Sequence, residues 1–218
     1  MECASDVPIL GELEKMVHAF RSNPHLELEV RLGAVVDGKF NAGVDERYSL
    51  DLHTSMTDTH SMHLWKIQPM KHFIYKYFPN DVRGRYEQGV KTQYHRVIRK
   101  HAFSVVCSER KYALKFALKE EIPLPDDLLI VESANFIKIN SRASLDIHGW
   151  RYDFTKVGQG VNEDIARQNI SHQIELEMMH TNLPLSDSDI AITFLGRSRD
   201  MLGRYEDGQA QLLHLEFV

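Results

Sequence analysis

A chain of 218 residues has room for one large domain or two small ones, and 43% apolar with 26% charged residues excludes a disordered or low-complexity polymer. The net charge of −5 excludes attraction of nucleic acid by bulk charge, so any polyanion must be drawn in by a local basic lining. Cys3 and Cys107 have no metal-ligand spacing and suggest no disulfide framework, which points to a reducing compartment. No apolar run reaches bilayer length and no signal-peptide pattern is present, so no membrane partner is expected. His60 and His63 lie in a polar segment and read as solvated residues, not metal ligands.

In chain order, residues 9–21 carry Leu10, Leu13, Met16, Val17 and Phe20 at helical spacing, and Asn23-Pro24 stops that helix. The next stretch, 26–32, alternates. Glu27, Glu29 and Arg31 share one strand face, and Leu26, Leu28, Val30 and Leu32 share the other. Gly33, Gly38 and Gly43 mark a loop. Residues 46–52 read as a strand, 55–67 as a weakly patterned helix, and 73–78 as a strand ended by Pro79-Asn80. A hairpin of 82–87 with 92–101 turns at Glu87-Gln88-Gly89. It places Arg83 and Arg85 on one face and Arg99 in the other arm. A second hairpin joins 102–107 to 112–121. After a break at Pro123-Leu124-Pro125-Asp126-Asp127 come three more strands, 135–145, 150–157 and 171–178. A terminal helix over 186–202 follows, with Ser186 and Ser188 as candidate caps. Strands recurring at this spacing with few helices between them predict an antiparallel barrel or sandwich, with 1–218 forming a single domain.

The alternation recurs with the same sense. Lys115, Ala117, Lys119 and Glu121 oppose Leu114, Phe116 and Leu118. Lys138, Asn140, Arg142 and Ser144 oppose Ile137, Ile139, Ala143 and Leu145. Arg151, Asp153 and Thr155 oppose Tyr152 and Phe154, and Glu175 and Glu177 oppose Ile174, Leu176 and Met178. For any one strand, a solvated charged face is the commoner explanation. Taken together, the faces carry nine bases (Arg31, Arg83, Arg85, Arg99, Lys115, Lys119, Lys138, Arg142 and Arg151) against six acids (Glu27, Glu29, Glu121, Asp153, Glu175 and Glu177). Burying so many charges without a task would cost several kcal/mol per unpaired ion. A polar lumen is reasonable if it binds a polyanion through Lys and Arg and a hard divalent cation through the glutamates.

Three motifs then carry a resemblance: Leu26-Glu27-Leu28-Glu29-Val30-Arg31-Leu32-Gly33, Trp150-Arg151-Tyr152-Asp153-Phe154-Thr155-Lys156-Val157 and Ile174-Glu175-Leu176-Glu177, with Leu114–Pro125 as a softer fourth. In this order they resemble the metal-dependent RNA 5′-triphosphatases of fungi, protozoa and large DNA viruses, which belong to the triphosphate tunnel metalloenzymes. The resemblance implies a closed eight-stranded antiparallel tunnel with flanking helices. It implies hydrolysis of the γ-phosphate from 5′-triphosphate RNA in the first step of mRNA capping. It assigns one Mn²⁺ or Mg²⁺ to Glu27, Glu29 and Glu177, and assigns positioning or deprotonation of the attacking water to Glu175. Arg99, Lys115, Arg142 and Arg151 would act with it in catalysis, and Arg31, Arg83, Arg85, Lys119 and Lys138 would help bind substrate. Glu121, Asp153 and Thr155 would orient these groups. A separate RNA guanylyltransferase and a nuclear location are implied, or a cytoplasmic location for a viral chain. Two positions depart from the family pattern: Asn140 stands where a lysine is expected, and Gln173 where a third glutamate is often seen. Other readings are a tunnel acting on inorganic triphosphate or nucleotides, a polyphosphate polymerase, and a non-catalytic RNA-binding barrel. The last would interleave aromatics with bases on the charged face, and Phe116, Tyr152 and Phe154 fall on the other side.

Overall fold

The computed structural model describes residues 6–57, 65–107, 110–125, 133–179 and 183–202, and the backbone of 210–213. Cys3, His60, His63, Asp126 and Asp127 lie outside the described residues. The elements are α1 (Val7–Ser22), β1 (Leu26–Val36), β2 (Lys39–Ala42), α2 (Glu46–Thr57), β3 (Lys66–Phe78), β4 (Val82–Glu87), β5 (Val90–Cys107), β6 (Ala113–Pro123), β7 (Phe136–Ile147), β8 (Trp150–Gly160), α3 (Glu163–Gln168), β9 (Ile170–Met178), α4 (Asp187–Asp200) and β10 (Ala210–Leu213).

Eight strands close on themselves in the order β5-β4-β3-β7-β8-β9-β1-β6, with β6 returning to β5, and every pairing is antiparallel. Closure removes the sheet edges that would otherwise template aggregation. Short β2 and β10 add to β1 and β5 outside the ring.

The apolar sides of β1, β6, β8 and β9 point outward and meet α1 and α4. Leu28, Val30, Leu114, Phe116, Tyr152 and Leu176 are buried with Ile9, Leu13, Phe20, Ile190 and Phe194 in one cluster. The packed core therefore lies beneath the barrel, and the polar faces are left to the lumen. Phe194 is central. Its ring stacks on Trp150 (5.2 Å between centroids) and meets the Phe116 ring edge-on at 5.4 Å. Asn23 adopts an extended conformation (φ −140°, ψ 114°) before Pro24, which ends α1. Ser186 and Asp189 form a reciprocal capping box that starts α4. His18 and Arg21 of α1 then reach Asp187 at 2.9 and 2.7 Å. Phe194→Ala is expected to cost about 3–5 kcal/mol. Denaturant unfolding checks this, and a loss below about 1 kcal/mol would show that α4 does not anchor the barrel.

The structure differs from the sequence reading in places. Residues 46–57 form a helix, not a strand, because Tyr48, Leu52 and Met56 pack against the core at a four-residue spacing. Part of the expected helix over 55–67 falls in undescribed residues, and β3 already begins at Lys66. The glycine-rich loop contains β2, turned by Asp37 (φ 50°) and Gly38 (φ 74°). The two expected strands at 92–101 and 102–107 are one continuous β5, in which a bulge between Arg99 and His101 shifts the register. No helix among the described residues is long and apolar enough to cross a membrane.

Candidate active site

The polar faces converge on one tunnel of about 820 Å³. Its lining carries eight Arg and Lys side chains against six carboxylates, so the lumen is cationic although the whole chain is acidic. Strand register sets the neighbours. On β1 and β9, Glu29 faces Glu177 and Arg31 faces Glu175. On β8 and β9, Asp153 faces Glu175 and Arg151 faces Glu177. On β1 and β6, Glu27 faces Lys119 and Arg31 faces Lys115.

Within this cluster the carboxylates divide by their counter-charges. Arg31 Nε lies 2.8 Å from Glu29 and 2.9 Å from Glu175, and Lys119 Nζ lies 2.5 Å from Glu29. Burial pushes the Glu29 carboxyl up, but Arg31 and Lys119 outweigh it and hold it at about 2. Glu27 and Glu177 make no ion pair among the described residues. Burial, then Glu121 and Glu177, push Glu27 up to about 9. Burial, then Asp153 and Glu29, push Glu177 up to about 7. These two desolvated oxygen donors beside Glu29 suit a hard divalent cation, which would supply the missing positive charge. Among the described residues, no three His, Cys, Asp or Glu side chains already converge as a cage.

Facing them are the cations. Arg142 donates to Thr155 Oγ1 (3.0 Å), Asp153 (2.6 Å) and, more loosely, Glu175 (3.5 Å). Asp153 is 1% exposed and also accepts from Ser144 at 2.5 Å. Arg151 is held by Asp146 at 2.8 and 3.2 Å, and Gln68 donates to the same carboxylate at 2.7 Å. Arg83 pairs with Glu121, and Arg85 with Glu87 at 2.6 Å. The Nε atoms of Arg83 and Arg85 are buried without an acceptor among the described residues. Burial, with Arg31 nearby, brings Lys138 down to about 8.

Of the expected site residues, Glu27, Glu29, Glu175, Glu177, Glu121, Arg31, Arg83, Arg85, Arg99, Lys119, Lys138, Arg142 and Arg151 all line the tunnel. Asp153 and Thr155 stand behind the lining and grip Arg142. Lys115 is outside the lining, with its ammonium 5.4 Å from the centre of the Phe40 ring. The two departures, Asn140 and Gln173, are buried in the lumen wall. Tyr75, Tyr77, Asp81 and His95 also line the tunnel and were not expected. Asp146 had a legible signal, because it continues the alternation of Lys138, Asn140, Arg142 and Ser144 by one more step.

No family model matches the sequence, and a search of curated proteins found no match. Solved structures do match. The Pct1 RNA triphosphatase of S. pombe superposes with a TM-score of 0.74 at 11% identity, covering 94% of this chain and 95% of that one. The same enzyme in complex with the Spt5 CTD gives 0.73 at 12% identity, with coverages of 94% and 95%. The triphosphatase of the Mimivirus capping enzyme gives 0.62 at 13% identity, with coverages of 89% and 96%. The fold is that of the RNA triphosphatases. At these identities the likeness concerns the triphosphatase fold alone, and the side chains of the tunnel must carry any chemistry.

Proposed function

We propose that the chain is a metal-dependent polynucleotide 5′-triphosphatase that removes the γ-phosphate from 5′-triphosphate RNA in the first step of mRNA capping. The observation that supports this best is the pairing, in one closed lumen, of an acidic cluster on β1 and β9 with a cationic excess over the rest of the wall. Glu27, Glu29 and Glu177 would hold a divalent cation, Mn²⁺ or Mg²⁺, which would supply charge neutralisation and Lewis acidity toward the phosphates.

The protein's own groups do the rest. Arg83, Arg85, Arg99 and Arg142 hold the triphosphate oxygens and offset the charge that builds as the bond from the γ-phosphorus to its bridging oxygen breaks. Glu175, tied to Arg31 and Arg142, orients the attacking water and accepts its proton. Asp153 and Thr155 fix the guanidinium of Arg142, and Asp146 fixes that of Arg151. The diphosphate-ended product then passes to a separate guanylyltransferase, in the nucleus or, for a viral chain, in the cytoplasm.

The test is γ-phosphate release from triphosphate-ended RNA, with and without Mn²⁺, beside tripolyphosphate and ATP. Metal-dependent release from RNA supports the reading. A strong preference for tripolyphosphate would instead identify an inorganic triphosphatase, and no release from any of the three would end the enzymatic reading. Lys138 adds a pH signature. It is cationic below about 8 and neutral above, so polyphosphate affinity is expected to fall as pH rises through that value, with proton uptake on binding. Lys138→Arg should remove the fall, as read by calorimetric titration in buffers of different ionisation heat.

A further inference from the structure

Strand β3 runs along the wall opposite β1, since three strands separate them either way round the ring. Its inward residues Phe73, Tyr75 and Tyr77 form an aromatic row, with neighbouring rings 5.0 and 6.3 Å apart. Cations from the flanking strands cover the ring faces. Arg83 lies 4.3 Å from the centre of the Tyr75 ring. Arg85 and Arg142 lie 4.4 and 5.4 Å from Phe73, and Lys138 lies 5.8 Å from Tyr77. An aromatic face steadies a cation without cancelling its charge, whereas a carboxylate does both. Arg83, Arg85 and Arg142 also pair with carboxylates, so the row adds to what holds these cations without adding negative charge to the wall. With cations on their faces, these rings are poorly placed to stack on a nucleobase. What Tyr75 and Tyr77 have left is their hydroxyls. Both residues line the tunnel, and neither hydroxyl has a hydrogen-bond partner among the described residues. Burial raises both phenols above their ordinary range, so they remain protonated donors at neutral pH.

We infer that Tyr75 and Tyr77 are phosphate-contacting residues, their hydroxyls donating to non-bridging oxygens of the bound polyanion from the wall opposite Glu27 and Glu29. This rests on the reading of the tunnel as a triphosphate site. A hydroxyl donating to a charged oxygen contributes enough that its loss weakens binding about tenfold or more.

The experiment measures tripolyphosphate binding to the whole chain by calorimetry, in EDTA and in Mg²⁺, for wild type, Tyr75→Phe, Tyr77→Phe, the double phenylalanine variant and Tyr75→Leu. Phenylalanine keeps the ring under the cation and removes only the hydroxyl. The expected result is about tenfold weaker binding for each Phe variant with an unchanged melting temperature, and a larger loss for the double. Wild-type affinity in the double variant overturns the inference. If only Tyr75→Leu binds weakly, the ring merely seats Arg83, and the inference is likewise overturned. Wild-type protein that binds no tripolyphosphate in either buffer would instead defeat the underlying reading of the tunnel.

Discussion

Glu29→Ala is expected to abolish metal-dependent phosphate release, by about 10²–10³-fold or more, while the barrel still forms. The same change should lower the melting temperature, because Glu29 is buried and is the shared counter-charge of Arg31 and Lys119. Glu177→Gln should behave differently. Glu177 makes no ion pair among the described residues, and its neighbours on β1 and β8 are Glu29 and Arg151 with Asp153 nearby, so the acids outweigh Arg151. Removing its charge relieves repulsion, so in EDTA the melting temperature should hold or rise while activity is lost. Circular dichroism melts beside the RNA assay separate the two effects. Full Mn²⁺-dependent activity in both variants would remove these glutamates from the proposed metal site.

The second large effect concerns Arg142→Ala. Asp153, 1% exposed in the intact protein, would keep Ser144 as its one donor among the described residues, and an uncompensated buried carboxylate costs about 3–5 kcal/mol. Phosphate release should fall with it, since Arg142 also carries one of the cations set over Phe73 and reaches Glu175. Adding Asp153→Asn should recover much of the stability and none of the activity. Urea denaturation of the pair of variants checks the first half, and turnover on triphosphate-ended RNA checks the second. Equal stability of Arg142→Ala and wild type would mean that the Asp153 carboxyl is protonated or solvated once alone.

How far the site could be read ahead depended on how strongly each strand alternates. Residues 26–32, 150–155 and 173–178 alternate polar with large apolar positions, so their inward faces were legible, and the pattern breaks only at the strand end, where Lys156 and Val157 swap faces. The two-residue period does not depend on partners. Phe73, Tyr75 and Tyr77 were not legible as lumen residues. Ile74 and Phe78 on the same strand are also apolar, and neither face declares itself until Arg83 and Arg85 lie alongside. Residues 46–57 misled for a related reason: a short amphipathic helix and a short strand share composition, and the four-residue spacing of Tyr48, Leu52 and Met56 is visible only over its full length.

The amino-acid sequence by itself determined which side chains share a face, because backbone geometry makes that a local property of each strand. It also determined that the outward faces needed covering, which the amphipathic patterns at residues 9–21 and 186–202 supply. Only the tertiary structure decided which faces meet. The bulge in β5, the register that sets Glu29 against Glu177, the closure of β6 onto β5, and the burial that drives Glu27 and Lys138 away from their ordinary protonation all arise from contacts between residues far apart in the chain. Such contacts leave no periodic mark in the sequence, since they depend on how a twisted sheet closes and not on what any one strand prefers.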